Sequence, residues 1–242
     1  MSEPQKTGSP AVKNMFSSIA GKYDLLNRLF SLGTDVKWRQ ELASEISATE
    51  NRPILDVATG TGDVALTLQE RCSGDGLIVG TDFTLPMLQV GAKKVSHNRK
   101  RKIRLTAGDA YALPFRENIF GAVTIAFGLR NLAHRVDGLA EMARVLTPGG
   151  RVVILEFSPM DRPVFGRLFR FYFHRIMPFV GGIISGNRGA YRYLPESVDQ
   201  FPDPVQLSQE MIEAGFTEVK YRALTMGIAY LHSGIKGIRD KG

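Results

Sequence analysis

The chain has 242 residues and a mass of 26.7 kDa, enough for one sizeable α/β domain, and no stretch of it reads as a linker between two cores. Its formal net charge of +7 and isoelectric point near 9.6 imply anionic neighbours, a lipid surface or a nucleic acid. The single cysteine, Cys72, excludes an intrachain disulfide and a cysteine-rich metal site and is read as a packing residue.

Residues 1–10, MSEPQKTGSP, are polar, carry two prolines and lack the apolar core of a signal peptide, so they are read as a disordered tail on a cytoplasmic protein. Residues 11–242 then form one domain, with strands expected at 53–58, 77–82, 103–107, 120–127 and 151–156. Helices are expected at 63–72, 84–96 and 135–146, the last closed by Pro148, Gly149 and Gly150. This alternation predicts a mostly parallel sheet with helices on both faces. Residues 163–177, PVFGRLFRFYFHRIM, put Phe165, Leu168, Phe169, Tyr172, Phe173 and Ile176 on one helical face, with Arg167, Arg170 and His174 toward the other. They read as an amphipathic cap inside an insertion at about 160–200, either packed on the sheet or forming a groove or interfacial helix. Glycines 181, 182, 186 and 189 nearby are read as marks of a mobile segment. Runs at 217–225 and 227–232, joined through Met226 and Gly227, form a hairpin that makes the last strand antiparallel. The apolar stretch Ile176 to Ile184 is far short of the roughly 20 residues that span a bilayer, so the chain can touch a membrane without crossing it.

The most informative stretch is LDVATGTGD, Leu55 to Asp63, an apolar strand running into a glycine turn with a carboxylate on each side. Gly60, Gly62 and Ala65 satisfy the spacing of a dinucleotide turn, which brings backbone N–H groups close to a ligand. Asp56 and Asp63 flank the place where a diphosphate would sit and would repel it. A cationic ligand without phosphate, S-adenosylmethionine, suits the turn better than NAD. Asp82 follows the second strand, 20 residues after Gly62, where an acid can bond ribose hydroxyls, although an Asp before Thr84 also serves as a helix N-cap. In GDAYALPF, Asp109 and Ala110 are placed to address an adenine edge; turn formation is the plainer role for Asp109. These acids at successive strand ends line the edge at which open α/β sheets bind ligands.

Seven Lys or Arg lie between Lys93 and Arg104 with no aromatic among them to stack on bases. The run reads first as a solvated helix end and loop, second as a contact for anionic lipid, and nucleic acid is not expected as a partner.

Through LDVATGTGD, Asp82, GDAYALPF and RVLTPGGRVVILEF at 144–157, the chain resembles the class I S-adenosylmethionine-dependent methyltransferases. The resemblance implies an α/β, Rossmann-like fold with a mostly parallel seven-stranded sheet, an antiparallel last strand and helices on both faces. The segments MFSSIAGKYDLLNRLFSLGTDVKWR at 15–39, TIAFGLRNL at 124–132, AYRYLPESVDQFP at 190–202 and the closing GIAYLHSG narrow it. With these, the chain from Met15 to about Gly234 is similar to the ubiquinone/menaquinone biosynthesis C-methyltransferases. That resemblance implies methyl transfer from S-adenosylmethionine to a ring carbon of a polyprenylated quinol, demethylmenaquinol in the menaquinone branch. It also implies transient contact with the inner face of the membrane, and it allows a homodimer without requiring one.

Carried over position by position, the implied cofactor contacts are Thr61, Asp82, Asp109, Ala110 and Ala126, to which the reading of the glycine turn itself adds Asp56, Gly60 and Gly62. Some members carry Ser where this chain has Ala126, which leaves only a backbone contact there. The turn reads ATGTGD where many members have AGGTGD, so Thr59 must avoid positive φ. For the chemistry, a hydroquinone carbon becomes nucleophilic when its neighbouring hydroxyl ionises, and a guanidinium lowers both the phenol pKa and the barrier. Arg130, after the fourth strand, fits that need, with a salt bridge to a nearby acid as the alternative. Asn131 is expected to orient the same hydroxyl or a water, and Tyr23 to reach the quinol from a lid helix within residues 11–50, or else simply to pack. The sulfonium loses a neutral leaving group, so no acid catalyst and no metal is required. His134 is read as a surface residue at a helix start. A methyltransferase of a soluble phenol and a non-enzymatic binding protein on the same fold are the rival readings.

Overall fold

The computed structural model describes residues 10–46, 52–71, 76–96, 102–159, 171–177, 179 and 188–237. Three helices come first: α1 (Pro10–Ile19), α2 (Tyr23–Phe30) and α3 (Thr34–Ser44). Four β-strands then alternate with helices: β1 (Ile54–Val57), α4 (Asp63–Arg71), β2 (Ile78–Asp82), α5 (Leu85–Ser96), β3 (Ile103–Ala107), β4 (Phe120–Ala126) and α6 (Arg135–Val145). The chain closes with β5 (Leu146–Phe157), α7 (Arg188–Asp199), α8 (Pro204–Glu213), β6 (Phe216–Leu224) and β7 (Ala229–Lys236).

These strands make one seven-stranded sheet in the order β3-β2-β1-β4-β5-β7-β6. β7 is inserted between β5 and β6 and runs antiparallel to both, whereas the other neighbouring pairs are parallel. The expected sheet and its antiparallel last strand are both present. Side chains alternate across the pleat with period two, yet both faces are covered, so each central strand reads as a continuous apolar run. Leu55, Val57, Val123, Ile125, Val152 and Ile154 enter one core with α6 and α8 residues such as Leu139, Met142 and Met211. Ile54, Ala122, Val153 and Leu155 enter the other, where Trp38, Leu42, Ala65 and Leu68 of α3 and α4 cover them.

β5, β7 and α8 differ most from the sequence reading, β7 running from Ala229 to Lys236 rather than over 227–232. β5 begins at Leu146 rather than at 151, because Leu146 pairs with Phe120 and the register shift before Ala122 absorbs Pro148–Gly150. α8 was not expected, although its start is legible: the Asp203 carboxylate accepts the Val205 and Gln206 N–H groups at 2.8 and 2.9 Å, with Pro204 in the first turn.

The tail residues 1–9, Cys72, residues 97–101 of the basic run, and Phe165, Arg167, Leu168, Phe169, Arg170, Gly181, Gly182 and Gly186 lie outside the described residues, while Gly189 falls within α7. What is described of the amphipathic cap is a π-helical turn, Tyr172–Ile176, in which Phe173 is buried but Ile176 is 42% exposed. Its residues therefore do not share one apolar face. Phe173 and Met177 pack instead with Val198 and Leu194 of α7 and with Phe30 and Phe157.

Candidate active site

The carboxyl ends of β1 and β4 carry the site, and both turn sharply. Ala58 and Phe127, the residues after these strands, adopt left-handed backbone at φ 53° and 54°, a conformation that costs a non-glycine residue about 1 kcal/mol or more. Gly128 is wedged between them, since a Cβ there would stand 2.7 Å from the Ala58 Cβ. The strained bends thus hold each other. Thr59 avoids positive φ, as expected, while Gly60 (φ 55°) and Gly62 (φ 81°) take it. Nothing lies within 4 Å of where a Cβ on Gly60 would project, so its backbone is open to a ligand.

The acids around this turn have distinct fates. Asp56 is fully buried, and its two oxygens accept the hydroxyls of Thr59 (2.5 Å) and Thr124 (2.7 Å), the latter its register partner on β4. It braces the turn from beneath. Burial raises its pKa from 3.8 to about 7, against the lowering effect of the two hydroxyls. An acid whose folded pKa lies above its unfolded one contributes stability that is complete below pH 3.8 and is lost as pH rises through 7. Asp56→Asn keeps an acceptor for one threonine and a donor for the other. It is expected to gain about 3 kcal/mol on the parent protein between pH 4 and pH 8, read by urea unfolding at both pH values; a gap that does not change with pH would refute this account.

Asp63 is not the free carboxylate that the sequence reading used to repel a diphosphate. Lys94 Nζ meets it at 2.5 Å and Arg39 at 3.5 Å. Lys94 also bonds Asp24 of α2 (2.6 Å), whose other oxygen accepts the Thr61 hydroxyl (2.5 Å), and Arg39 bonds Asp35 at 2.7 Å. Both cations beside the turn are therefore held by acids and are not offered to a phosphate. This network fastens α2 over the glycine turn and leaves Thr61 only 2% exposed. Lys94, read from the sequence as part of a solvated run, is instead the clasp between α5, α2 and the turn.

Asp82 is buried, and one oxygen accepts the Gly60 N–H (2.9 Å) while the other accepts the Thr84 N–H (2.8 Å). It caps the start of α5 and fixes the turn at once. Burial raises its pKa, and these backbone donors oppose the rise. Asp109 accepts the Tyr111 N–H at 2.8 Å, the turn-forming role, and Ala110 packs into the sheet core. Ala126 ends β4 beside Leu155. An open glycine backbone above a buried carboxylate, with no uncommitted cation beside it among the described residues, fits an adenosyl group that carries a sulfonium and no phosphate.

Next to this edge lies a cavity of about 470 Å³. One wall is aromatic: Trp38, Phe127 and Phe157 pack tilted or edge-on with centroids 4.6 to 6.0 Å apart, and the Trp38 indole N–H bonds Thr225 Oγ1 at 2.8 Å. Tyr23, Arg130 and Tyr193 line it as well. Arg130 is not a bare cation. Its Nη1 bonds Glu156 at 2.9 Å and also the Phe127 carbonyl, both side chains of the ion pair are at most 5% exposed, and Glu156 accepts the Arg130 backbone N–H as well. The salt-bridge alternative is thus realised, yet Arg130 Nε stays buried without a hydrogen-bond partner among the described residues. Asn131 accepts the Tyr193 hydroxyl at 2.9 Å. Tyr23 packs on Phe16, and burial raises its pKa while the Arg130 charge opposes the rise. The sequence reading missed Trp38, Glu156, Phe157, Tyr193 and Thr225. The only signal for any of them was that Trp38, Glu156, Phe157 and Tyr193 lie within segments quoted for the family resemblance.

Comparison with known proteins decides the family. The model of the ubiE/COQ5 methyltransferase family matches residues 4–236. The chain belongs to the ubiE/COQ5 methyltransferase family. It is 51% identical over 220 residues to a demethylmenaquinone methyltransferase of Thermus thermophilus, covering 91% of this chain and 99% of that protein. It is 44% identical over 229 residues to the ubiquinone/menaquinone biosynthesis C-methyltransferase UbiE of Geobacter sulfurreducens, covering 94% and 89%. Among solved structures, an S-adenosylmethionine-dependent methyltransferase from Thermotoga maritima, described as a possible histamine N-methyltransferase, superposes with a TM-score of 0.63 at 16% identity, over 92% of this chain and 99% of that one. At that identity the match speaks for the fold alone. This member of the ubiE/COQ5 family is therefore an S-adenosylmethionine-dependent methyltransferase, with its glycine turn and aromatic cavity side by side on one sheet edge.

Proposed function

We propose that this methyltransferase transfers a methyl group to a ring carbon of a polyprenylated quinol, converting demethylmenaquinol to menaquinol. The observation that carries this reading is the 470 Å³ cavity beside the glycine turn, walled by Trp38, Phe127 and Phe157 in mutual aromatic contact, with Arg130 and Tyr193 among its polar lining residues. The names of the relatives supply the substrate class. Gly60, Thr61, Gly62 and Asp82, with Asp109, Ala110 and Ala126 further along the edge, hold the cofactor, and Asp56 supports them from below. When bound, S-adenosylmethionine supplies a methyl group on a sulfonium whose departure leaves a neutral thioether.

Arg130 donates to the quinol oxygen and stabilises the negative charge left on it when its proton passes to solvent, which raises electron density at the ortho carbon; after methyl transfer the displaced ring proton restores the hydroxyl as the ring rearomatises. With Glu156 neutralising it, it works through directed N–H donors more than through net charge. Tyr23 closes the cavity from α2, and Asn131 steadies the polar corner. The packed rings exclude water and hold the head group for in-line attack. The prenyl tail leaves past Leu32, 85% exposed on the rim, toward a membrane surface that the protein touches from the cytoplasmic side; among the described residues no helix is long and apolar enough to cross one.

The test is methyl transfer from labelled S-adenosylmethionine, under reducing conditions, to demethylmenaquinol and to the demethylated benzoquinol precursor of ubiquinone, each carried in anionic liposomes. Label on the naphthoquinol alone supports the reading, and label on both rings makes the enzyme dual. Label on neither, with cofactor bound, refutes it in favour of a soluble phenol. Protein that stays wholly in the supernatant when the liposomes are sedimented removes the membrane contact.

A further inference from the structure

Helix α2 is apolar on two opposite sides. Its inner side carries Tyr23, Leu26, Asn27 and Phe30: Leu26 is buried with Ile19, and the other three line the cavity. A helix at the surface of a protein ordinarily turns polar residues to water on the other side. Here Leu25 and Leu29 are 63% and 43% exposed, and Leu32, just past the helix end, is 85% exposed. Positions 22, 25, 28, 29 and 32 fall within about a third of the helix circumference, so Lys22 and Arg28 share the stripe with the three leucines. From Gly21 to Leu32 the exposed positions are glycine, leucine, lysine or arginine, with no acid and no uncharged polar side chain among them. Leu32 belongs to both surfaces, since it also lines the cavity. One exposed leucine is ordinary. Three in a stripe edged by cations, at the mouth of an apolar cavity, form the pattern of a helix that lies in a lipid interface. A second copy of the chain fits the stripe less well. A two-fold contact over it would gather four cations in one place, and three leucines present less than the roughly 800 Å² per partner of a stable interface.

We infer that the outer face of α2 is a docking surface for an anionic lipid bilayer, with Leu25, Leu29 and Leu32 entering the boundary of the acyl region and Lys22 and Arg28 among the head groups. The net charge of +7 favours the same partner at long range. The inference rests on the polyprenyl-quinol reading of the cavity and deepens it by naming the element that meets the membrane and the lipid chemistry it meets. Leu32 leads from that boundary into the cavity, so an apolar tail passes from bilayer to ring site without crossing water.

The test sediments the full chain with vesicles of phosphatidylglycerol and phosphatidylcholine in equal parts, or of phosphatidylcholine alone, at low and at high salt. The parent protein is expected to bind the anionic vesicles and to lose most of that binding at high salt or on phosphatidylcholine alone. Leu25→Gln/Leu29→Gln is expected to bind the anionic vesicles about 30-fold more weakly. Lys22→Gln/Arg28→Gln is expected to bind them about fivefold more weakly for each cation removed. Both variants keep the parent affinity for S-adenosylhomocysteine in calorimetry, which shows that they fold. Val205→Gln/Ile212→Gln removes two apolar residues, 64% and 51% exposed, from α8 on the other core, and is expected to bind like the parent protein. A parent protein that leaves anionic vesicles unbound, a leucine variant that binds them like the parent, or an α8 variant that loses as much overturns the docking face. So does a parent protein that is a dimer by light scattering when the leucine variant is a monomer, since a second copy then covers the stripe. Methyl transfer to demethylmenaquinol dissolved in detergent decides the quinol reading separately, because it needs no vesicle.

Discussion

Arg130→Ala is expected to lower the rate of methyl transfer about 1,000-fold, the loss typical of removing a preorganised donor at a developing oxyanion. It is also expected to destabilise the fold by about 3–5 kcal/mol, because Glu156, 2% exposed, is left as an uncompensated buried charge. The two effects separate in the double variant Arg130→Ala/Glu156→Gln. Glutamine carries no charge to strand, so stability returns toward the parent value in denaturant unfolding, whereas the rate stays low because the donor is still missing. A double variant that recovers the rate would show that Arg130 acts only by holding the turn in shape. The backbone makes this a fair contest, since Glu156 also accepts the Arg130 N–H and the Phe157 N–H and so shapes the turn after β4 by itself.

The second large effect is expected at Asp82. One carboxylate ties the Gly60 N–H to the Thr84 N–H, so Asp82→Ala leaves two backbone donors unpaired, one in the glycine turn and one at the start of α5. Charge-assisted bonds of this kind are worth about 1.5–3 kcal/mol each, and the turn at Gly60, with φ 55°, loses its anchor. Affinity for S-adenosylhomocysteine, measured by calorimetry, is expected to fall about 100-fold, equivalent to about 3 kcal/mol. Asp82→Asn keeps one acceptor and presents an NH₂ to the other donor, so it is expected to lose most of that affinity too. An asparagine variant that binds like the parent protein would mean that capping, not cofactor contact, is the whole role of this residue.

Strands β1 to β4 were legible because each is a short apolar run bounded by glycine, proline or a carboxylate, and such boundaries are local. The hairpin of β6 and β7 was legible for the same reason. The missed helix α8 carries a local signal as well, Asp203 followed by Pro204, but it sits among prolines at 202 and 204 that read equally as a loop. Thr59 was foreseen to avoid positive φ because only the turn itself is involved. The left-handed bend at Ala58 was not, since it depends on Gly128 arriving from another strand.

The sequence by itself determined the sheet, the glycine turn with its acids in series, and the resemblance that named a methyltransferase, because these depend on periodicity and on residues close together in the chain. Tertiary structure alone decided what each charge does. Asp63 meets Lys94 across 31 residues and Arg130 meets Glu156 across 26, turning two expected free charges into neutralised pairs. Trp38 meets Thr225 across 187 residues to build one wall of the cavity. The value of a charge or a ring in a pocket depends on what faces it from other strands and helices, and that juxtaposition exists only once the sheet has closed and the N-terminal helices have packed across its edge.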